Sequence, residues 1–357
     1  MKNRNVNQKP RGKSKRNILL LIGVIALLFA GIIYYYFFSS LSQEKDTHYI
    51  YIDDDDNIDS VYTKFQPIAT TNGMTGLRTL ARHSKYDSNI QTGRYAIHPT
   101  EGAFKIFRKL KNGIQDPVML VIPSVRTTDR LAGTLSKKMM IDSLALYRAL
   151  SDEKTCEKLG YDTTTIICMF IPNTYEIFWN ISVEKFLERM QKESQRFWTK
   201  ERLQKAKRMG MTPESVITLA SIVDEETSND AEKSIIAGLY YNRLMLRNSE
   251  YPNGMPLQAD PTIKFALKRF DLKRIYVNML QTKSPYNTYV NPGLPPGPIR
   301  IPTIAGIDAV LNYEKHNYLY MCAKEDFSGT HNFAATYQEH LVNAAKYSKA
   351  LNERGIK

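Results

Sequence analysis

The chain has 357 residues, 43% apolar and 24% charged, which is enough to bury real cores and excludes a disordered or low-complexity polymer. Its formal net charge is +13, but basic residues among positions 1–16 supply seven of those charges and leave +6 for the remainder. A nucleic-acid binder thereby loses most of its support, although a mildly basic remainder still suits an acidic polymer or an anionic membrane surface.

In chain order, Lys2, Arg4, Lys9, Arg11, Lys13, Lys15 and Arg16 occur with no acid among them, ahead of an uncharged apolar run from Asn17 to Ser40. About 20 such residues cross a bilayer. Tyr34, Tyr35 and Tyr36 stand at the far end, where aromatic side chains favour the interface, and the basic flank predicts a cytoplasmic N-terminus. A cleaved signal peptide is the other reading; the long apolar core and the lack of an Ala-x-Ala-like site favour a retained anchor. The expected layout is a basic cytoplasmic tail over 1–16, a transmembrane helix over 17–40 and a linker over 41–47. Everything beyond then lies outside the cytoplasm.

A small module is expected over 48–115. It has a strand at His48–Ile52, a helix from Ile58, a second from about Thr75 to His83, a strand at 93–98 and a helix near Gly102–Leu110 stopped by Asn112-Gly113. A second domain is expected over 116–357, opening on a buried strand at 117–123. Helices follow at about 128–137, 141–151 and 183–209, with a strand entering a turn at 169–175. The fold class is therefore α+β. Cys156, Cys168 and Cys322 and the six histidines show no zinc spacing, so neither metal nor cofactor is expected. Cys156 and Cys168 read equally as a disulfide or as packed thiols.

Thr212 as N-cap and Pro213 in the first turn open a helix that ends in Asp224, Glu225 and Glu226. At roughly 100° per residue, Val216, Leu219, Ala220 and Val223 share one face and Glu226 falls beside Leu219, while Glu225 points to the opposite, solvent side. Partial desolvation would raise the Glu226 pKa towards the range of a general acid. Three acids at a solvated helix end are the plainer reading, although they oppose the helix dipole. A helix at 230–247 follows, then a polar excursion at 248–255 and Leu257-Gln258-Ala259-Asp260-Pro261-Thr262. The stretch 284–299, rich in Tyr, Asn, Thr, Pro and Gly, is either a connecting loop or a polar binding wall.

Six blocks in order resemble the MltG, or YceG-like, endolytic lytic transglycosylases of bacterial cell walls. They are Ala220-Ser221-Ile222-Val223-Asp224-Glu225-Glu226-Thr227, Tyr241-Asn242-Arg243-Leu244, the block at 257–262, Tyr286-Asn287-Thr288-Tyr289, Gly293-Leu294-Pro295-Pro296-Gly297 and His331-Asn332-Phe333. The resemblance implies a LysM-like first module, a YceG-like catalytic domain and Glu226 as the catalytic acid. Asp224 stands where relatives carry Glu, which leaves it a supporting role of uncertain reach. Substrate contacts are expected from Gln258, Asp260, Tyr286, Asn287, Thr288 and Tyr289, with Asn242 and His331 behind or beside them; His331 reads equally as a structural histidine. Arg243 could hold a peptide carboxylate or pair with Glu232.

The reaction implied is cleavage of the β-1,4 bond between N-acetylmuramic acid and N-acetylglucosamine with the muramyl C6 hydroxyl as internal nucleophile, leaving 1,6-anhydro ends. One carboxyl then serves as acid and base, whereas a hydrolase ordinarily needs two. The rival functions are a non-catalytic scaffold tethering membrane to peptidoglycan and a hydrolytic muramidase. Peptidoglycan strands are the expected partner, with glycan synthases by analogy.

Overall fold

In the computed structural model, residues 11–272 and 274–355 are described. The chain divides into two compact units, the first formed by the stretch up to Val118 together with Ile177–Asn180, the second by Met119–Glu176 and the stretch from Ile181 onward.

The first unit carries α1 (Arg11–Ile33), which runs through a π-helical turn at Tyr34–Phe38. Its segment Lys15–Phe38 has a mean hydropathy of 2.7 and is long and apolar enough to cross a membrane. Beyond it, β1 (His48–Ile52) pairs antiparallel with β2 (Gly93–Ile97), with Ile50 opposite Tyr95. Three helices cover this hairpin: α2 (Ile58–Phe65), α3 (Thr71–His83) and α4 (Ala103–Lys111). Ile50, Ile52, Phe65, Leu77, Tyr95, Ile97, Ile106 and Leu110 form its core, as the period-2 and period-3.6 patterns require. Asn57 caps α2 through the amides of Asp59 and Ser60.

The second unit is mainly helical. It opens with β3 (Val118–Val121), α5 (Thr128–Leu135), α6 (Ser143–Ser151) and α7 (Glu153–Lys158), followed by β4 (Thr174–Ile177), which pairs with β3. The single helix expected over 183–209 is two, α8 (Val183–Phe197) and α9 (Lys200–Arg208), because Trp198 leaves the helical region and Thr199 starts the second as its N-cap. Cys156 and Cys168 are buried free thiols, so packing rather than a disulfide describes them.

At the centre lies α10 (Pro213–Glu226), capped by Thr212 with Pro213 in its first turn, as its sequence predicts. Every residue from Val216 to Val223 is buried. The expected one-sided stripe is thus a helix enclosed all round, packed by α9, α11 (Asp230–Met245), α12 (Asp260–Ala266) and α13 (Ile304–Leu311). The chain ends in an antiparallel ribbon, β5 (Tyr320–Ala323) and β6 (His331–Ala334), and α14 (Tyr337–Glu353), which packs on β5.

Candidate active site

The three carboxylates at the end of α10 have three different surroundings. Asp224 turns towards α13: its carboxylate accepts from the Thr303 amide at 2.5 Å and pairs with Lys233 Nζ at 2.8 Å. A negative charge at that helix N-terminus is favourable, and Asp224 is not among the residues that line the cavity at Glu226. Glu225 is not solvent-facing. Its side chain is 11% exposed and accepts two bonds from Arg126, both at 2.8 Å, and one from Arg300 at 3.1 Å. The packing around α10 explains this correction: the side that phase assigned to solvent is covered by Arg126 and Arg300.

Glu226 opens into a cavity of about 310 Å³ whose walls include Tyr240, Arg243, Gln258, Asp260, Tyr289 and His331. Burial, reinforced by the negative charge of Asp260, pushes its pKa up to about 7, against the pull of a hydrogen bond from Tyr240. That bond, from the Tyr240 hydroxyl to Glu226 Oε1, is 2.6 Å long. Burial first, and then the Glu226 charge, hold the Tyr240 phenol well above its ordinary pKa, so it remains a donor. One carboxylate oxygen is thereby fixed, and the proton of the neutral acid is left to the other.

The opposite wall is a second phenol–carboxylate pair, Tyr289 donating to Asp260 Oδ1 at 2.6 Å. Burial, with the bond to Asp260, raises the Tyr289 pKa. Gln258 adopts a left-handed φ of 50°, a conformation that costs a non-glycine residue about 1 kcal/mol or more. It is held there by its own amide on the Thr288 carbonyl at 3.0 Å and by the Ala259 amide on Thr288 Oγ1 at 3.0 Å.

Arg243 is buried and donates to the carbonyls of Leu319 (2.6 Å) and Leu257 (2.7 Å). It tethers β5 to the 257–260 segment and does not pair with Glu232. Glu232 instead accepts from the His331 amide at 2.8 Å and from Nδ1 at 3.3 Å. His331 is thus anchored by a carboxylate and lines the cavity.

Of the expected contact residues, Glu226, Gln258, Asp260, Tyr289 and His331 come together around one cavity. Asn287 and Thr288 do not reach it. Both are buried, and Asn287 uses its amide on the carbonyls of Leu280 and Thr282 and its oxygen on the Tyr289 amide. Asn242 is likewise committed, to the carbonyls of His316 and Tyr318. Tyr286 turns the other way, its ring 4.7 Å from that of Phe265. Such short polar residues satisfy the backbone of an irregular loop that has no ladder to do so. Tyr240 was not expected; a fully buried tyrosine needs a partner for its hydroxyl, and that need was the available signal.

An α+β protein with a buried glutamic acid of raised pKa in a polar cavity is the class these features define. Residues 50–346 match the model of the YceG-like family, and the chain belongs to that family. It is 37% identical to an endolytic murein transglycosylase of Bacillus subtilis over 139 residues, covering 39% of this chain and 36% of that protein. It is 24% identical to an endolytic murein transglycosylase of Streptococcus pneumoniae over 301 residues, covering 75% of this chain and 52% of that protein. The chain thus spans between about a third and about half the length of these curated relatives. The crystal structure of a yceG-like protein from Listeria monocytogenes shares the fold, with a TM-score of 0.53, 24% identity, 84% of this chain covered and 99% of the other.

Proposed function

We propose that this chain is an endolytic lytic transglycosylase that cuts the β-1,4 bond between N-acetylmuramic acid and N-acetylglucosamine in peptidoglycan. The observation that carries the reading is Glu226, a carboxyl whose pKa is raised to about 7 inside a polar cavity. Near neutral pH such an acid is populated in both forms, as a group must be that gives a proton and takes one back. Glu226 protonates the leaving glycosidic oxygen as the C1–O4 bond breaks. The muramyl C6 oxygen bonds to C1, and the C6 hydroxyl proton passes to the Glu226 carboxylate. The products are a 1,6-anhydro end and a free O4 hydroxyl, with the acid restored and no water consumed.

Positive charge develops at C1 on the way, and the Asp260 carboxylate and Gln258 amide dipole are placed to stabilise it from the cavity wall. His331 serves as a contact to the sugar. In the same reading, residues 48–115 form a LysM-like strand-binding module and 116–357 the catalytic domain. The segment 17–40 anchors the protein in the inner membrane with the tail inside, beside the synthases whose nascent strands it would trim.

The test is the mass of the products formed by the full chain in detergent on purified peptidoglycan. Anhydro ends are expected. Ends heavier by one water would show a hydrolytic muramidase, and retention without cleavage a binding scaffold.

A further inference from the structure

Gln258 and Asp260 both line the cavity at Glu226, and the residue between them, Ala259, is fully buried. Its peptide groups are held by two threonines that do not line that cavity, Thr262 and Thr288, at 0% and 1% exposure. The Ala259 amide donates to Thr288 Oγ1 at 3.0 Å. Thr288 Oγ1 lies 2.9 Å from Thr262 Oγ1, and Thr262 Oγ1 lies 2.7 Å from the Ala259 carbonyl oxygen. The two backbone groups fix the direction of every proton. A carbonyl only accepts, so the single Thr262 hydroxyl proton goes to Ala259 and the Thr288 proton goes to Thr262. The three bonds close a ring through Ala259 in which each hydroxyl accepts once and donates once, away from water.

The ring fixes both neighbours of Ala259. On one side the Gln258 main-chain amide donates to the Thr288 carbonyl at 3.0 Å, and Gln258 stands at a left-handed φ of 50°. A non-glycine residue keeps that conformation only where its surroundings impose it. On the other side Tyr289, next in the chain after Thr288, donates to Asp260 Oδ1 at 2.6 Å. Thr288 and its neighbour thus grip all three residues of 258–260, two of which face the cavity.

We propose that Thr288 and Thr262 are positioning residues, whose hydroxyl ring sets Ala259 and thereby presents Gln258 and Asp260 to the glycan bound at Glu226. The assignment rests on the glycan-cleaving reading above. The Thr288 oxygen must both accept and donate, so valine, of nearly the same shape, fails at this position and serine suffices.

Binding of soluble, uncross-linked glycan strands to the full chain carrying Glu226→Gln tests the proposal without turnover. On that background Thr288→Val leaves the buried Ala259 amide without an acceptor and should lower strand affinity by about three- to tenfold, and Thr288→Ser should restore it to within about twofold. Thr262→Val opens the ring more gently, because the Thr262 amide keeps its 3.0 Å bond to the Ala259 carbonyl. It should cost about two- to fivefold and takes over as the test if Thr288→Val does not fold. With Gln258→Ala and Asp260→Ala already present, neither valine should lower the affinity further, although each still lowers the unfolding midpoint. A merely structural role would not produce that split. Unchanged affinity in the folded valine variants, or a loss as large with the two alanines as without them, overturns the proposal. Cleavage by the Glu226-bearing chain is followed in parallel. Coupling without anhydro ends would sink the enzymatic reading and keep the positioning ring; anhydro ends without coupling would do the reverse.

Discussion

Glu226 and Tyr240 form a pair whose two effects oppose each other. Burial raises the pKa of the acid and the phenol hydrogen bond lowers it, with burial prevailing at about 7. Tyr240→Phe removes only the lowering contribution, so the acid should hold its proton to higher pH. Because the leaving oxygen must be protonated, kcat/KM should fall with rising pH as Glu226 ionises. In the variant that falling limb should move to higher pH by about one pH unit, the worth of a hydrogen bond to a charged group. A pH–rate profile checks this, and a limb that stays or moves to lower pH contradicts it. At low pH the loss of orientation should cost about two- to tenfold in rate. Helical phase puts Glu226 beside the buried stripe but also sends Glu225 to solvent, where it does not lie, so the family block rather than the phase singles Glu226 out; Tyr240 could not be found, since a tyrosine in an apolar run reads as core until its hydroxyl is traced.

At the scale of elements, α10 is held by charge as well as by apolar packing. The Asp224–Lys233 pair is almost wholly buried, at 2% and 6% side-chain exposure. Burial pulls the Lys233 ammonium down, and Asp224 with Asp230 more than restores it, so its pKa is raised. Asp224→Asn leaves that ammonium with the exposed Asp230 alone and should cost about 3 kcal/mol. Chemical denaturation would measure the loss, and the pH–rate profile should keep its shape. A large fall in rate at unchanged stability would instead place Asp224 at the reaction. The start of α10 and the strands β1 and β2 could be read from caps and periodicity. The all-round burial of α10 could not, because a helical wheel assumes one wet side. The turns of Asn287, Thr288 and Asn242 towards backbone were equally hidden, since a short polar side chain serves a loop or a ligand with the same atoms.

For the molecule as a whole, the order of six blocks marked where the site would form, while the fold decided which side chains meet. The β5–β6 ribbon brings Cys322 and His331 onto a cavity floored by a helix about a hundred residues earlier in the chain, a distance that no local pattern spans. The family follows from the match over 50–346, and the apolar segment Lys15–Phe38 fits a single-pass anchor. The central claim is that Glu226 alone carries the proton in both directions, and Glu226→Gln tests it most directly. The substitution replaces an acid that the fold already prefers neutral, so relative to the unmodified protein it should not lower the unfolding midpoint at pH 8. Burial makes the ionised form of Glu226 a cost that appears as pH rises from its ordinary range through about 7, and the amide never incurs it. Purified peptidoglycan treated with equal amounts of the two proteins should give anhydro-ended glycans at a rate lower by about a thousandfold in the variant. Release of those ends at the unmodified rate by a folded Glu226→Gln protein would contradict the account.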